Sequence, residues 1–251
     1  MNASGAPGHL DVGGVFDAAG EIFKQSFGSV WIVALILLIP AEIISGLLSD
    51  QGLILSTIGT LVHWIAVAWL AGAVVRIVQD VELDGRVDQG VGEILGSITP
   101  QLISIILLQL VVGILVGIGT IFFIVPGVIL ALMWCVAVPS MVVEKLGVFD
   151  SMTRSSDLTR DNRMRILGIG ILIFLALIGL VILVALLSLV SWFIGAIVGI
   201  VLGVIVYPYV SILAAVLYFR LRDLKEGGTA VVEETVIVEE TVDPGSPPPA
   251  I

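Results

Sequence analysis

Six long apolar stretches dominate this chain and leave little choice of fold. They cover roughly residues 30–48, 53–78, 102–124, 127–143, 166–190 and 193–219, and each is close to the ~20 residues that an α-helix needs to cross a bilayer. The stretches are continuous rather than alternating, which favours helices over a β-barrel. Because 58% of the residues are hydrophobic and only 13% are charged, a soluble globule cannot bury them. The sequence predicts an all-α integral membrane protein with six transmembrane helices.

The distribution of positive charge predicts how these helices are oriented. All 11 Lys and Arg residues lie in the first, third, fifth and last gaps around the apolar stretches or at their edges. Basic residues near the ends of membrane spans stay in the cytoplasm. We therefore expect a multi-pass protein of the prokaryotic plasma (inner) membrane, with both the N- and C-termini cytoplasmic. The basic residues are Lys24, Arg76, Arg86, Lys145, Arg154, Arg160, Arg163, Arg165, Arg220, Arg222 and Lys225.

Short turns at residues 49–51, 125–126 and 191–192 predict that the six helices form three tight hairpins. An amphipathic stretch precedes each hairpin, and we expect it to lie as a helix in the cytoplasmic interface. In the first of these stretches the predicted apolar face consists of Phe16, Ala19, Phe23 and Phe27. The second runs from Val87 to Ile98, and the third from Val148 towards Asn162.

The three leaders resemble one another, which indicates an internal repeat. Residues 20–23 read Gly-Glu-Ile-Phe and residues 92–95 read Gly-Glu-Ile-Leu, with a looser match at 156–159. We predict three units, at about 15–80, 86–144 and 147–222, around a pseudo-threefold axis. Chance similarity among apolar sequences is the alternative.

Two terminal segments flank the predicted membrane domain at 15–225. Residues 1–14 are expected to be a flexible leader. Residues 226–251 are acidic, repeat the motif Val-Glu-Glu-Thr-Val and end in a Pro-rich run, which predicts a disordered cytoplasmic tail. The alternative is that the tail forms a strand when it docks on a protein partner. The net charge of −10 argues against nucleic acid as a partner.

Glu42 and His63 are the ionisable residues placed well inside the predicted spans. At a rise of 1.5 Å per residue, Glu42 lies about 10 Å and His63 about 16 Å below the outer turn. Side chains lean towards the N-terminus of their helix, so these two lean towards each other. An intramembrane polar pair that binds a proton or a ligand is one hypothesis, and it is not the one that we favour. The alternative is a structural hydrogen bond, or a Glu42 that reaches the outer water.

The basic cluster between the fourth and fifth stretches is a candidate contact for anionic lipid head groups. It consists of Arg154, Arg160, Arg163 and Arg165. The alternative is that these residues only fix the topology, since Asp150, Asp157 and Asp161 lie among them. Membrane lipids are therefore the predicted partners.

Glycines four residues apart predict close helix packing. Such steps occur at Gly113 and Gly117 in the third span, and at Gly195, Gly199 and Gly203 in the sixth. We expect these contacts to lie within one chain rather than between chains.

No enzyme signature is present in the sequence. A nucleophile elbow, a phosphate loop, a His-Glu-x-x-His motif and paired cysteines are all missing, and the two histidines do not supply a metal site. We therefore predict no catalytic residue, no metal and no cofactor.

The middle of the chain resembles a known family. Residues 124–127 read Ile-Val-Pro-Gly, residues 137–139 read Ala-Val-Pro, and residues 154–162 read Arg-Ser-Ser-Asp-Leu-Thr-Arg-Asp-Asn. These motifs, with Leu-Tyr-Phe-Arg-Leu-Arg at 217–222, are similar to the membrane domain family of glycerophosphoryl diester phosphodiesterase and to related uncharacterised prokaryotic membrane proteins. The resemblance implies a six-helix membrane domain. It does not imply hydrolysis, because the motifs of the catalytic barrel have no counterpart here.

Three functional hypotheses follow. The first is a non-enzymatic lipid-binding or scaffolding component of the plasma membrane, which requires a dry and filled centre. The alternative is a small proton-coupled transporter or channel that uses Glu42 and His63, which requires a polar cavity beside them. A membrane-embedded enzyme of lipid metabolism is the weakest, and it requires clustered carboxylates in a cytoplasmic pocket.

Overall fold

The computed structural model describes residues 10–85 and 89–241, and this part of the chain is almost entirely helical with no β-strand. A short 3-10 turn, Thr99–Gln101, joins the fourth helix to the fifth. The α-helices are α1 (Val12–Gln25), α2 (Phe27–Leu48), α3 (Leu53–Asp84), α4 (Val91–Ile98), α5 (Leu102–Phe122), α6 (Ile124–Met133), α7 (Ala137–Glu144), α8 (Val148–Thr159), α9 (Arg163–Val190) and α10 (Trp192–Thr241).

Six helical segments are long and apolar enough to cross a membrane, which confirms the predicted helical class and number of spans. The fourth of these segments contains both α6 and α7. The segments are Phe27–Leu48, Leu53–Leu83, Val91–Phe122, Ile124–Glu144, Arg163–Val190 and Phe193–Gly227.

Local sequence sets where several helices begin and end. Asp11 caps α1 by accepting a hydrogen bond from the backbone N–H of Gly13 at 3.1 Å, as expected for an N-cap carboxylate. Gly85 ends α3 in the left-handed conformation with φ 71°, where a residue without Cβ is favoured. Lys145 ends α7 in the same conformation with φ 54°. We call the end of the bundle that carries Lys24, Arg165 and Arg220 the basic end, and the opposite end the turn end.

Helices α3 and α10 form the centre of the bundle. Helix α10 packs against α1, α2, α3 and α9, and α3 packs against α2, α5, α7 and α10. The largest fully buried side chains on these two helices are Leu70, Ile77, Ile212 and Tyr218. Helix α9 lies at the edge, where Ile166 and Ile169 are buried and most of its other apolar side chains are exposed to the surroundings.

The apolar face of α1 is wider than the predicted one. Val15, Ala19 and Ile22 are buried, and Phe16 and Phe23 of the predicted face are partly buried against the same core. The smaller side chains let α1 approach α10 closely, and the ring of Phe23 packs edge-on against Tyr209 with a centroid distance of 5.7 Å. Phe27 is 47% exposed and belongs to α2.

The turn between the third and fourth spans also differs from the prediction. It lies at Phe123, whose backbone is extended, and α6 begins at Ile124. Pro126 thus falls in the first turn of α6 rather than in the connection. Its missing N–H has no cost there, because the first N–H groups of a helix have no partner within the helix.

The fourth span is broken where the sequence predicts one helix at 127–143. Residues 134–136 separate α6 from α7, one turn before Pro139. A proline ring clashes with the carbonyl four residues earlier, here that of Cys135, and removes one helical hydrogen bond. The hydroxyl of Ser155 donates to the carbonyl of Met133 at 2.7 Å and so satisfies one group at the end of α6.

The amphipathic segments are shorter or more deeply packed than predicted. Helix α4 begins at Val91, and Val87 lies outside the described residues. Helix α8, predicted to lie in the interface, has Ser151, Ser155 and Leu158 fully buried and packs against α5, α6, α7 and α10. It is therefore part of the bundle.

Helix α10 continues past the predicted membrane domain to Thr241, and the disorder of the tail at 226–251 stays a prediction. Side-chain contacts support the helix where it leaves its apolar part. Nε of Arg222 lies 3.8 Å from Glu226 one turn later, and Lys225 lies 3.3 Å from Asp161 of the α8–α9 connection. Residues 1–9 of the predicted leader and 242–251 of the tail lie outside the described residues. The role of the tail in binding a protein partner stays a prediction.

Candidate functional site: a polar cluster within the spans

Glu42 of α2 and His63 of α3 lie in contact. Oε1 of Glu42 is 3.3 Å from Nδ1 of His63, and the two side chains are 32% and 19% exposed. The helices are held close together near this point by Gly59, because a Cβ on Gly59 would lie 2.9 Å from Cα of Ser45. The short turn and this close approach bring the two predicted residues together.

Tyr207 of α10 and Gln109 of α5 extend the cluster. The rings of Tyr207 and His63 have centroids 5.8 Å apart at an angle of 63°. A cavity of about 310 Å³ lies beside them, lined by His63, Trp64, Val67, Gln109 and Tyr207. Three helices therefore present polar groups to one space within the spans. We refer to Glu42, His63, Gln109 and Tyr207 as the polar cluster.

The chemistry of the polar cluster suits proton and hydrogen-bond exchange. A carboxylate next to an imidazole can share a proton, and the phenol and the amide can each donate and accept hydrogen bonds. Gln109 makes no interhelical hydrogen bond to any residue in 10–85 or 89–241, so its amide is available to a ligand. Nothing in the sequence pattern singled out Tyr207, which lies in an apolar run just before Pro208.

The four arginines of the predicted lipid contact do not form one exposed patch. Nε of Arg154 donates to Glu144 at 2.8 Å, and its guanidinium also contacts Glu226. Burial opposes the charged form of Arg154, but the hydrogen bonds to Glu226 and Glu144 outweigh it and hold the pKa of the guanidinium above its ordinary value. Two carboxylates already lie against this charge, and a lipid contact at Arg154 stays a prediction.

The other three arginines have different surroundings. Arg165 donates to the carbonyl of Leu10 at 2.6 Å, which ties the start of α1 to α9. Nη2 of Arg163 lies 3.5 Å from the hydroxyl of Ser156. Arg160 is exposed. A lipid contact at Arg160, Arg163 and Arg165 stays a prediction.

A second polar network lies at the basic end and was missed in the sequence. Oε1 of Glu144 accepts hydrogen bonds from Nε of Arg154 and from the hydroxyl of Tyr218, at 2.8 and 2.7 Å. The guanidinium of Arg222 lies over the Tyr218 ring, 5.7 Å from its centroid. The only sequence signal was a carboxylate directly after an apolar stretch and a tyrosine within another.

Close packing occurs at some of the predicted glycines only. A Cβ on Gly195 would lie 2.9 Å from Cα of Ser188 in α9, and one on Gly199 would lie 3.7 Å from Val184. A Cβ on Gly203 would meet only Tyr207 of its own helix. At Gly113 and Gly117 a Cβ would meet no described atom within 4 Å, so helix packing at these two glycines stays a prediction.

Helices α5 and α6 instead touch through two glycines outside the predicted step. A Cβ on Gly127 would lie 2.7 Å from Cα of Thr120, and one on Gly119 would lie 3.2 Å from Cα of Gly127. In the described part of the chain, no group of three or more His, Cys, Asp or Glu side chains is placed to hold a metal ion.

A family model matches most of the chain. The model is described as "Uncharacterised protein family (UPF0259)" and covers residues 30–222, which include all of the polar cluster. This match provides no link to glycerophosphoryl diester phosphodiesterase. No solved structure matches the chain.

Proposed function

We propose that this chain, which belongs to the uncharacterised protein family UPF0259, is a small proton-coupled transporter that binds its solute at the polar cluster. One observation carries the proposal. Glu42 lies 3.3 Å from His63, and His63 lines a cavity of about 310 Å³ with Gln109 and Tyr207. A filled, apolar centre would have supported the scaffold hypothesis instead.

The Glu42–His63 pair is suited to be the proton site. Ionisable groups within a membrane cost several kcal/mol unless they are paired or hydrated, and they commonly mark proton and substrate pathways. Histidine changes its charge in the physiological pH range. Uptake of one proton by the pair raises the charge of the cavity wall by one, so the affinity of the cavity for a solute depends on that proton. By reciprocity, the solute changes the proton affinity of the pair.

The other two members of the polar cluster are suited to bind the solute. The amide of Gln109 and the phenol of Tyr207 offer donors and acceptors but no permanent charge. The space between them and His63 is of the size of a small molecule. A neutral or zwitterionic polar solute fits this set better than a large lipid head group does.

The orientation and the plasma membrane are parts of the same proposal. We infer that the basic end faces the cytoplasm, because Lys and Arg next to spans are retained there. Both termini are then cytoplasmic.

The pseudo-threefold repeat also remains a proposal. Its support is the order of elements: a short helix precedes two spans three times, as α1 to α3, α4 to α7 and α8 to α10. The broken fourth span and the burial of α8 make the three units unequal. A distant relationship to the phosphodiesterase membrane domain rests on the sequence motifs alone.

Charge displacement after a pH jump tests the transport proposal. Proteoliposomes adsorbed on a solid-supported membrane are switched from pH 7.5 to pH 5.5, and the transient current is recorded. We expect a current in the wild type, because a proton moves through part of the membrane to reach the pair. Glu42→Gln should remove it, and Glu21→Gln, at an exposed carboxylate of α1, should keep it. A wild-type current in Glu42→Gln would refute the proton site and favour the scaffold hypothesis.

A further inference from the structure

The basic end contains a charged cavity of about 420 Å³ between the start of α1 and the end of α10. Its polar lining is one guanidinium, Arg220, and two carboxylates, Asp11 and Asp223, and the remainder includes Leu10, Val15 and Leu224. Arg220 and Asp223 make no ion pair or hydrogen bond within the described residues. Both side chains are therefore available to a ligand.

The wall of this cavity is fixed by contacts to α8 and α9. The backbone N–H of Leu10 donates to Oδ1 of Asn162 at 3.0 Å, and its carbonyl accepts from Arg165 at 2.6 Å. Leu10 is only 2% exposed. The start of α1 is thus anchored across the bundle, and Asp11 is held at the mouth of the cavity.

A second, apolar cavity lies nearer the middle of α10, and the buried residues Val216 and Leu217 lie between it and the charged cavity. This apolar cavity of about 270 Å³ between α1, α9 and α10 is lined by Phe16, Leu172, Tyr209 and Leu213 among others. It shares Leu177, Leu180 and Val206 with an apolar groove of about 560 Å³ between α9 and α10. The two spaces therefore form one continuous groove.

The charged cavity and the groove lie along one face of α10. Val206, Val210, Leu213, Arg220 and Leu224 line them at steps of three, four or seven residues, which places them on the same side of a helix. From Val206 to Arg220 the helix rises about 21 Å. Half of a hydrocarbon core of about 30 Å is about 15 Å, so the groove is long enough for an acyl chain of one leaflet.

We propose that this composite site binds a zwitterionic aminophospholipid of the phosphatidylethanolamine class, with its phosphate at Arg220, its ammonium at Asp223 and Asp11, and one acyl chain in the groove between α9 and α10. Charge selects this class. Two carboxylates and one guanidinium give the cavity a charge of −1, which repels anionic head groups. A quaternary choline ammonium has no N–H to donate to the carboxylates, whereas a primary ammonium has three. Arg220 matches the phosphodiester, which a guanidinium binds well.

The groove shares Tyr207 with the polar cluster, whereas the head-group residues Asp11, Arg220 and Asp223 are not part of that cluster. The variants that test the two proposals therefore change different residues, and the two proposals can fail independently. The composite site also differs from the predicted contact at Arg160, Arg163 and Arg165, because it requires carboxylates as well as a basic residue.

Native mass spectrometry of the full-length protein tests the lipid site. The purified protein is exchanged with phosphatidylethanolamine, phosphatidylcholine and phosphatidylglycerol of identical acyl chains, and the bound fraction of each lipid is measured. We expect phosphatidylethanolamine to bind about tenfold more than either of the others. Arg220→Gln should lower its binding about tenfold, and Arg160→Gln, at the same end of the bundle, should leave it unchanged.

A change in lipid preference distinguishes the loss of head-group recognition from misfolding. Asp223→Asn removes a partner of the ammonium and neutralises the cavity, so we expect less phosphatidylethanolamine and more phosphatidylglycerol to bind than in the wild type. A misfolded variant would lose both lipids. Equal binding of the three lipids by the wild type, tighter binding of phosphatidylglycerol, or unchanged selectivity in both variants would overturn the proposal.

Discussion

The hydroxyl of Tyr218 donates to Oε1 of Glu144 at 2.7 Å and connects the last span to the end of the fourth. The same oxygen accepts from Arg154 of α8, so three helices meet at one carboxylate. Tyr218 is fully buried. A phenol without a hydrogen-bond partner would be costly at such a position. The network therefore fixes how α10 leaves the bundle at the basic end.

Tyr218→Phe should destabilise the protein by about 1.5–3 kcal/mol, since it removes a hydrogen bond to a charged acceptor without changing the packing of the ring. The measurement is the thermal midpoint in detergent, followed by tryptophan fluorescence. Tyr209→Phe is the matched control, because Tyr209 contacts Phe23 through its ring and its hydroxyl makes no hydrogen bond within the described residues. Equal midpoints for the two variants would contradict the assigned role of Tyr218.

Gly127→Ala should destabilise the α5–α6 contact by about 1–3 kcal/mol, the usual cost of overpacking. The added Cβ would lie 2.7 Å from backbone atoms of Thr120, and backbone cannot move aside as a side chain can. Gly113→Ala is the control, because a Cβ there meets no described atom within 4 Å. We expect Gly113→Ala to leave the thermal midpoint unchanged or to raise it through helix propensity. The reverse order of the two midpoints would show that α5 uses its Gly113 face for packing.

Lys145→Gly should stabilise the protein by about 1 kcal/mol. Lys145 has φ 54° at the end of α7, a conformation that costs a residue with a Cβ about 1–2 kcal/mol and costs glycine almost nothing. Lys145→Ala removes the same charge and keeps the Cβ, so it should give no such gain. The thermal midpoints of the two variants distinguish relief of backbone strain from loss of charge.

How far the sequence predicts this structure depends on whether the partners are neighbours along the chain. The Glu42–His63 contact could be predicted because a short turn makes α2 and α3 antiparallel neighbours. Residues of the two helices at similar distances from this turn then lie opposite each other. Glu144 and Tyr218 lie in α7 and α10, which are not consecutive. Their meeting depends on how distant helices pack, and hydropathy carries no information about that.

The glycines that hold α5 against α6 could not be chosen from the sequence for a related reason. The step from Gly113 to Gly117 and the packing positions Gly119 and Gly127 look alike in sequence, since each is a small residue in an apolar helix. Which side of α5 faces α6 is decided by the turn at Phe123, and the spacing of glycines does not encode it. The break in the fourth span had a visible signal in Pro139, because its effect falls on the carbonyl four residues earlier.

Glu42 and His63 should be energetically coupled, and a double-mutant cycle with Glu42→Gln and His63→Gln measures the coupling directly. We expect about 0.6 kcal/mol in the unfolding free energy, the average for polar contacts between membrane helices, because both side chains are partly shielded and 3.3 Å apart. A second cycle with Glu42→Gln and Gln109→Leu should show no coupling, since Gln109 lines the cavity on the side of His63 and has no contact with Glu42 among the described residues. Coupling of equal size in both cycles would mean that the whole cavity relaxes as one unit. Coupling in neither would mean that Glu42 and His63 act separately, and a shared proton site would then have no basis.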